Sequence, residues 1–422
     1  MKFTHFVPLF AGCLGVVAGI APAVGFAETI AITGATVYQT PDKKLSNATV
    51  VMRDGKIIAV GENAVVPAGA RVLDGRTRIV TAGLIDSAST LGLVEVDQEG
   101  SGNDGRFDNS RMVHAAYRVT DAFDARLTAV PIARSGGVTS AIVRPTGGLI
   151  AGTAAWMPLD DQAVPRAALR DSAAMAASLG NQALPNGSRG YAIANLRELL
   201  DDVATYKRSK ARYERNQSRS LLASRSDLEA LLPVLAGKLV LLIRADSEVD
   251  IRAALALAQA RKLHIAIEGG SEAWRVAKEL AAAKVPVLVD PTLNLPDDLA
   301  ALDVREDNLV VLDRAGVDVI ISTLGNASNA RTLRQLAGIA VSFGLPYPKA
   351  LAAITSVPAK VFSPAAPERG TIAVGQIADV VVWSADPLEL SSNVTAVFIN
   401  GVEQSTASHQ EKLLQRYRKL QP

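Results

Sequence analysis

Charged residues at the ends of apolar runs carry most of the chemistry that this sequence offers. Asp86 follows the run at 79–85, Arg244 and Asp246 follow 239–243, and Glu268 follows 265–267. Arg244 and Asp246 are two apart, so both face the same way where a strand continues. A guanidinium beside carboxylates suits a fork-shaped clamp for an anionic or zwitterionic ligand. The plainer reading is a structural ion pair of Arg244 with Asp246 or Glu268. A third arrangement is a carboxylate site that shares a divalent metal among Asp86, Asp246 and Glu268.

Histidine-rich metal chemistry is poorly provided for. A catalytic zinc usually takes three protein ligands rich in histidine. The four histidines here are His5, His114, His264 and His409, and no two have ligand spacing. Cys13 is the only cysteine, and no Gly-x-Ser-x-Gly elbow occurs. Gly100 to Gly105 matches Gly-x-Gly-x-x-Gly, but Arg106-Phe107-Asp108 follows where an apolar helix is required. Asp97, Glu99, Ser101 and Asp108 have only rough calcium-loop spacing, and a plain loop is expected there. The basic stretch Lys207, Arg208, Lys210, Arg212, Arg215 and Arg219 reads as a solvated helix face.

The elements that must position these residues fall into three zones. From 29 to 72 the chain shows β-branched runs broken by turns, and Asp54-Gly55 is a hairpin signal. A similar texture returns at 378–383 and 394–403, with Asn400-Gly401 as the second turn. Between them short strands at 79–85, 138–143, 239–243, 265–267, 285–289 and 317–322 alternate with helical stretches. That alternation predicts a parallel α/β barrel, with one long exposed helix at 195–218 inside an insertion near 190–235.

These motifs, in this order, resemble the amidohydrolase superfamily and its imidazolonepropionase-like branch. Arg53-Asp54-Gly55-Lys56 and the following run resemble the entry sandwich, and Gly83-Leu84-Ile85-Asp86 the first barrel strand. Gly136-Gly137-Val138-Thr139 is similar to the start of the second strand. The run at 350–360 is similar to the segment that closes the barrel, and 370–382 to the return into the sandwich. The resemblance implies a TIM-like (β/α)8 barrel at 79–364 and a composite β-sandwich from 28–78 and 365–405, followed by a helical tail at 406–422. It also implies hydrolysis of non-peptide C–N bonds, of the cyclic amide or amidine type, as the ancestral activity.

The family's metal ligands do not carry over. Its His-x-His falls here on Ala88 and Thr90. The next histidine falls on Arg244, the following one on Gly269 or Gly270, and the final-strand aspartate near Thr323 and Leu324. No metal cofactor is therefore expected. The expected function is that of a degenerate relative without the classical metal-dependent activity. The alternatives are a binding or partner subunit of an intact amidohydrolase, and a hydrolase with the carboxylate-based site.

Bulk properties agree with an ordinary globular chain. The 44 basic and 42 acidic residues balance to +2, so no field attracts nucleic acid. Residues 1–27 combine a basic start, an apolar run and a Gly25-Phe26-Ala27 exit, which predicts a signal peptide and export to a bacterial periplasm. Lipid anchoring at Cys13 is the alternative. No later run is apolar over the ~18 residues a spanning helix needs. The expected partners are a small polar or anionic ligand, and a second copy or a related amidohydrolase.

Overall fold

The computed structural model describes residues 28–96, 98–107, 111–161, 168–180, 183–184, 188–296, 301–363, 368–407 and 409–418. The expected signal peptide, with Cys13 and His5, lies outside them, as do Asp97 and Asp108.

The first five strands are β1 (Ile30–Thr40), β2 (Lys43–Arg53), β3 (Lys56–Gly61), β4 (Arg71–Asp74) and β5 (Ile79–Ala82). The barrel follows as β6 (Leu84–Ser89), β7 (Val138–Val143), β8 (Ile150–Pro158), β9 (Arg170–Ser178), β10 (Val240–Ala245), β11 (Ile265–Gly269), β12 (Val287–Val289) and β13 (Val319–Ile321). The last three strands, β14 (Val380–Trp383), β15 (Val394–Ile399) and β16 (Val402–Gln404), return to the first sheet. The chain thus forms a (β/α)8-like barrel and a composite sheet built from both ends, as the motif order implied.

The two ends of the chain meet at the antiparallel β5–β14 ladder, where Val380 pairs with Ala82 and Trp383 with Ile79. Inward residues such as Ile32, Val50, Met52, Val80, Val380 and Phe398 form a core of their own. Both expected hairpin turns are present, and they meet. Ala378 donates its N–H to the Gly55 carbonyl at 2.8 Å, and Gly401 donates to the Ala378 carbonyl at 2.8 Å.

The run at 79–85 is not one strand. It breaks at Gly83, leaving Ile79–Ala82 in the sandwich and starting the barrel at Leu84. A Cβ at Gly83 would lie 2.1 Å from Thr139 Oγ1, so only glycine lets the chain turn this close to β7.

The barrel also differs from a strict βα repeat. β8 runs antiparallel to both β7 and β9, while the other neighbouring pairs are parallel. The physical reason is connection length. A parallel crossover needs a dozen or more residues, and β8 starts soon after β7 ends. The insertion between β9 and β10 holds α-helices at Arg189–Glu214 and Arg225–Leu235. The first of these is not exposed all round. Leu196, Leu199, Leu200, Val203 and Tyr206 form a buried stripe at helical spacing, while Lys207, Arg208, Lys210 and Arg212 stay in solvent. Among the described residues, no helix is long and apolar enough to cross a membrane.

Inside the barrel, side chains alternate along each strand. Leu242, Ala266, Leu288 and Ile320 point into a central apolar layer with Ile142 and Trp156, and Phe362 packs against it. Their strand neighbours Leu241, Ile243, Ile265, Ile267 and Ile321 belong to the outer core. Two residues further along the same inward rows stand Arg144, Arg244, Glu268 and Ser322. The period of two therefore places a polar layer directly above the apolar one, at the C-terminal mouth.

Candidate functional site

The polar layer is an ion-pair network. Glu268 on β11 is 2% exposed, and its Oε1 receives the Arg144 guanidinium in a short contact and Arg244 Nη1 at 3.5 Å. Arg144 follows β7 with a side chain only 6% exposed. Among the described residues, both its side-chain hydrogen bonds, to Glu268 and to the Leu324 carbonyl at 3.4 Å, leave from Nη2, and its buried Nε has none. Arg244 on β10 donates from Nε to Asp246 at 3.2 Å, and Ser271 donates to the other Asp246 oxygen at 2.9 Å. Burial works to lower the Arg244 pKa, but attraction to Asp246 and Glu268 outweighs it and raises the pKa above its ordinary value. The structure thus brings Arg244, Asp246 and Glu268 together.

Asp86 stands apart from that network. It is fully buried on β6 and accepts from Ser322 Oγ at 2.7 Å, Thr323 Oγ1 at 2.6 Å and the Thr323 N–H at 3.2 Å. Ser322 Oγ in turn accepts the Ala88 N–H at 3.0 Å. These bonds stitch the first barrel strand to the last, where no ladder joins them. Asp290, just after β12, senses this seam. Burial pushes its carboxyl up, two hydrogen bonds from Thr292 pull it back, and the Asp86 charge adds to the rise.

A raised carboxyl pKa means that Asp290 favours folding most below the ordinary carboxylate range, and that this is lost as pH rises through its folded value. Asp290→Asn should therefore be more stable than the parent at pH 7, with the gap closing as pH falls toward 3. Urea unfolding at the two pH values reads this directly. A gap that widens in acid would show that the carboxyl is not raised.

The positions to which the resemblance assigns metal ligands are otherwise occupied. Ala88 is fully buried among the apolar side chains of the barrel interior. Thr90 donates its hydroxyl to the Gly325 carbonyl at 2.7 Å. Arg244 is in the network. Leu324 sits in the left-handed region at φ +48° and turns its carbonyl to Arg144. Gly269 has φ +90°, and a Cβ on it would lie 2.3 Å from Asp246 Oδ1. Among the described residues, no group of three or more His, Cys, Asp or Glu side chains is arranged to hold a metal ion.

Above the network opens a cleft of about 1110 Å³ at the barrel mouth. Arg144, Arg244 and Glu268 form part of its floor. The segment after β6 supplies Arg106 and Phe107 to its wall. Phe107 stacks on His114 with ring centroids 4.4 Å apart and meets Tyr117 edge-on at 4.9 Å. Tyr117 donates to the Asp104 carbonyl at 2.8 Å, and burial together with Asp104 and Asp121 pushes its hydroxyl up to about 12. Within the Gly100–Gly105 run, Gly100–Gly102 forms a short 3-10 turn capped by Glu99.

Sequence reasoning passed over Arg144, Arg106 and the aromatic platform. Arg144 follows the run at 138–143 just as Arg244 follows 239–243, so the rule that singled out Arg244 would have found it. Arg106 and Phe107 carried no comparable signal, because the fold of the loop brings them to the mouth.

Comparison with known proteins gives a consistent answer. Residues 242–403 match the model of the amidohydrolase family. None of the curated proteins matches the chain. Among solved structures, an amidohydrolase from Thermotoga maritima MSB8 is similar at 25% identity and a TM-score of 0.80, covering 89% of this chain and 99% of that one. Molinate hydrolase (18% identity, TM-score 0.56, 90% and 95% covered) has the same fold. So has a β-aspartyl dipeptidase from Fervidobacterium islandicum AW-1 (14% identity, TM-score 0.55, 90% and 98% covered). The family model thus covers the later barrel strands and the return to the first sheet, and the solved amidohydrolase is similar over nearly the whole of both chains.

Proposed function

We propose that this chain is a degenerate amidohydrolase, exported to the periplasm, whose barrel mouth binds a small molecule without metal-dependent hydrolysis. The observation that carries the reading is the Arg144–Glu268–Arg244–Asp246 network, in which Arg244 stands at an expected ligand position and Asp246 fills the space that a side chain at Gly269 would need. The residues present do not fit the metal. A methyl group has no lone pair, two guanidiniums repel a cation, and Glu268 and Asp246 already neutralise those guanidiniums. The family's hydrolysis depends on a metal that lowers the pKa of water to about 7. Assignment to the imidazolonepropionase-like branch rests on the ordered motifs from Arg53 to Val382, and export on the pattern of residues 1–27.

The test is the metal content of protein purified from the periplasmic fraction without chelators, read by elemental mass spectrometry. Zinc, iron, nickel and manganese each near zero per chain is the expected result. Close to one equivalent of any of them would overturn the reading and return the hydrolase to first place.

A further inference from the structure

The chemistry of the cleft names a ligand class, an inference that rests on the metal-free binding reading above. We propose that the mouth takes a small carboxylate with an apolar body, its carboxylate held among Arg106, Arg144 and Arg244. Three guanidiniums and one carboxylate, Glu268, belong to the cleft lining. Glu268 is shared by Arg144 and Arg244, and Asp246 takes only the Nε side of Arg244. Arg106 is exposed, and among the described residues it has no ion-pair partner. Among the described residues, the positive charge left over at the cleft is therefore that of Arg106.

Geometry adds two further constraints. Arg144 has a buried Nε without any partner, a donor that a native site rarely leaves unused. It cannot move far, because its side chain is 6% exposed and Nη2 is tied to Glu268 and the Leu324 carbonyl. A preorganised guanidinium of this kind recognises a planar carboxylate better than a diffuse anion. The neighbouring wall carries apolar side chains. Phe107 is braced by His114 and Tyr117, with Val94 and Ala151 also lining the cleft. A bare inorganic anion would leave that wall wet, whereas a carboxylate with an acyl or aryl body covers it.

Hippurate, its uncharged counterpart N-benzoylglycinamide and inorganic phosphate are the probes, titrated calorimetrically into the full mature protein. Hippurate is expected to bind about tenfold or more tightly than the amide, and more tightly than phosphate. Arg144→Met and Arg106→Gln are each expected to weaken hippurate and leave the amide unchanged. Arg106 is exposed, so its variant keeps the test decisive if Arg144→Met does not fold. Equal binding of hippurate and amide, no binding of hippurate, or phosphate binding as tightly as hippurate would each overturn the proposal. Metal analysis of the same preparation separates the two readings. Metal-free protein that ignores hippurate sinks only the ligand class, whereas metal-loaded protein sinks the reading beneath it.

Discussion

Glu268→Ala is expected to cost roughly 3–5 kcal/mol of unfolding free energy, the usual cost of removing one partner from a buried ion pair. The large effect follows from what remains. Arg144 keeps its charge in a setting that leaves only 6% of the side chain exposed, and Arg244 loses its Glu268 partner nearby. Two guanidiniums that had shared one carboxylate would then repel each other. The companion variant separates charge from shape. Replacing both partners, as Arg144→Met with Glu268→Met, should recover most of the loss, because an apolar pair leaves no unpaired charge. Urea unfolding with an unchanged slope and a lower midpoint is the signature. A Glu268→Ala protein within about 1 kcal/mol of the parent would mean that the network is solvated and its burial apparent only.

Gly269→His, which puts a histidine at one of the two positions where the resemblance expects it, is expected to destabilise by about 3 kcal/mol or more and to gain no metal. Any side chain at φ +90° brings strain of about 1–3 kcal/mol. A Cβ 2.3 Å from Asp246 Oδ1 must also push that carboxylate away. The displaced Asp246 would lose its bonds to Arg244 and Ser271, and a hydrogen bond to a charged group contributes about 1.5–3 kcal/mol. Gly269→Ala should show most of the same loss, because the obstacle is Cβ and backbone, not the imidazole. Zinc titration of the histidine variant, read beside its unfolding curve, checks both halves. Parent-like stability with stoichiometric zinc would show that the site retains the ancestral geometry.

Much of the fold was legible because it is written in residues with strong local preferences. Asp54-Gly55 and Asn400-Gly401 mark hairpins, and the β-branched runs at 138–143 and 239–243 became β7 and part of β10. β8 and β9 were not legible. Their strands, rich in alanine around Gly152 and Ala173–Ala177, have little intrinsic β preference and are held by neighbours on both sides. The long helix at Arg189–Glu214 looked exposed because its charges dominate, although its stripe from Leu196 to Tyr206 repeats at three and four residues.

The site divides in the same way. Arg244, Asp246 and Glu268 were found from strand ends alone, because inward rows of a barrel obey a period of two. Asp86 was legible as a carboxylate at a strand end, but its use as a stitch depends on Ser322 and Thr323, more than two hundred residues away. The occupation of the Gly269 position by a neighbouring carboxylate is likewise a fact of three-dimensional approach that no spacing reveals.

The meeting of the two hairpin turns over Ala378 sets an order of events for the living chain. Strands β1 to β5 leave the ribosome first, yet their β14 neighbour arrives some three hundred residues later. Until then one edge of the early sheet is open to pairing with any other strand. A nascent fragment ending before Val380 should stay sticky however complete its barrel, and the last segment acts as the latch that ends that exposure.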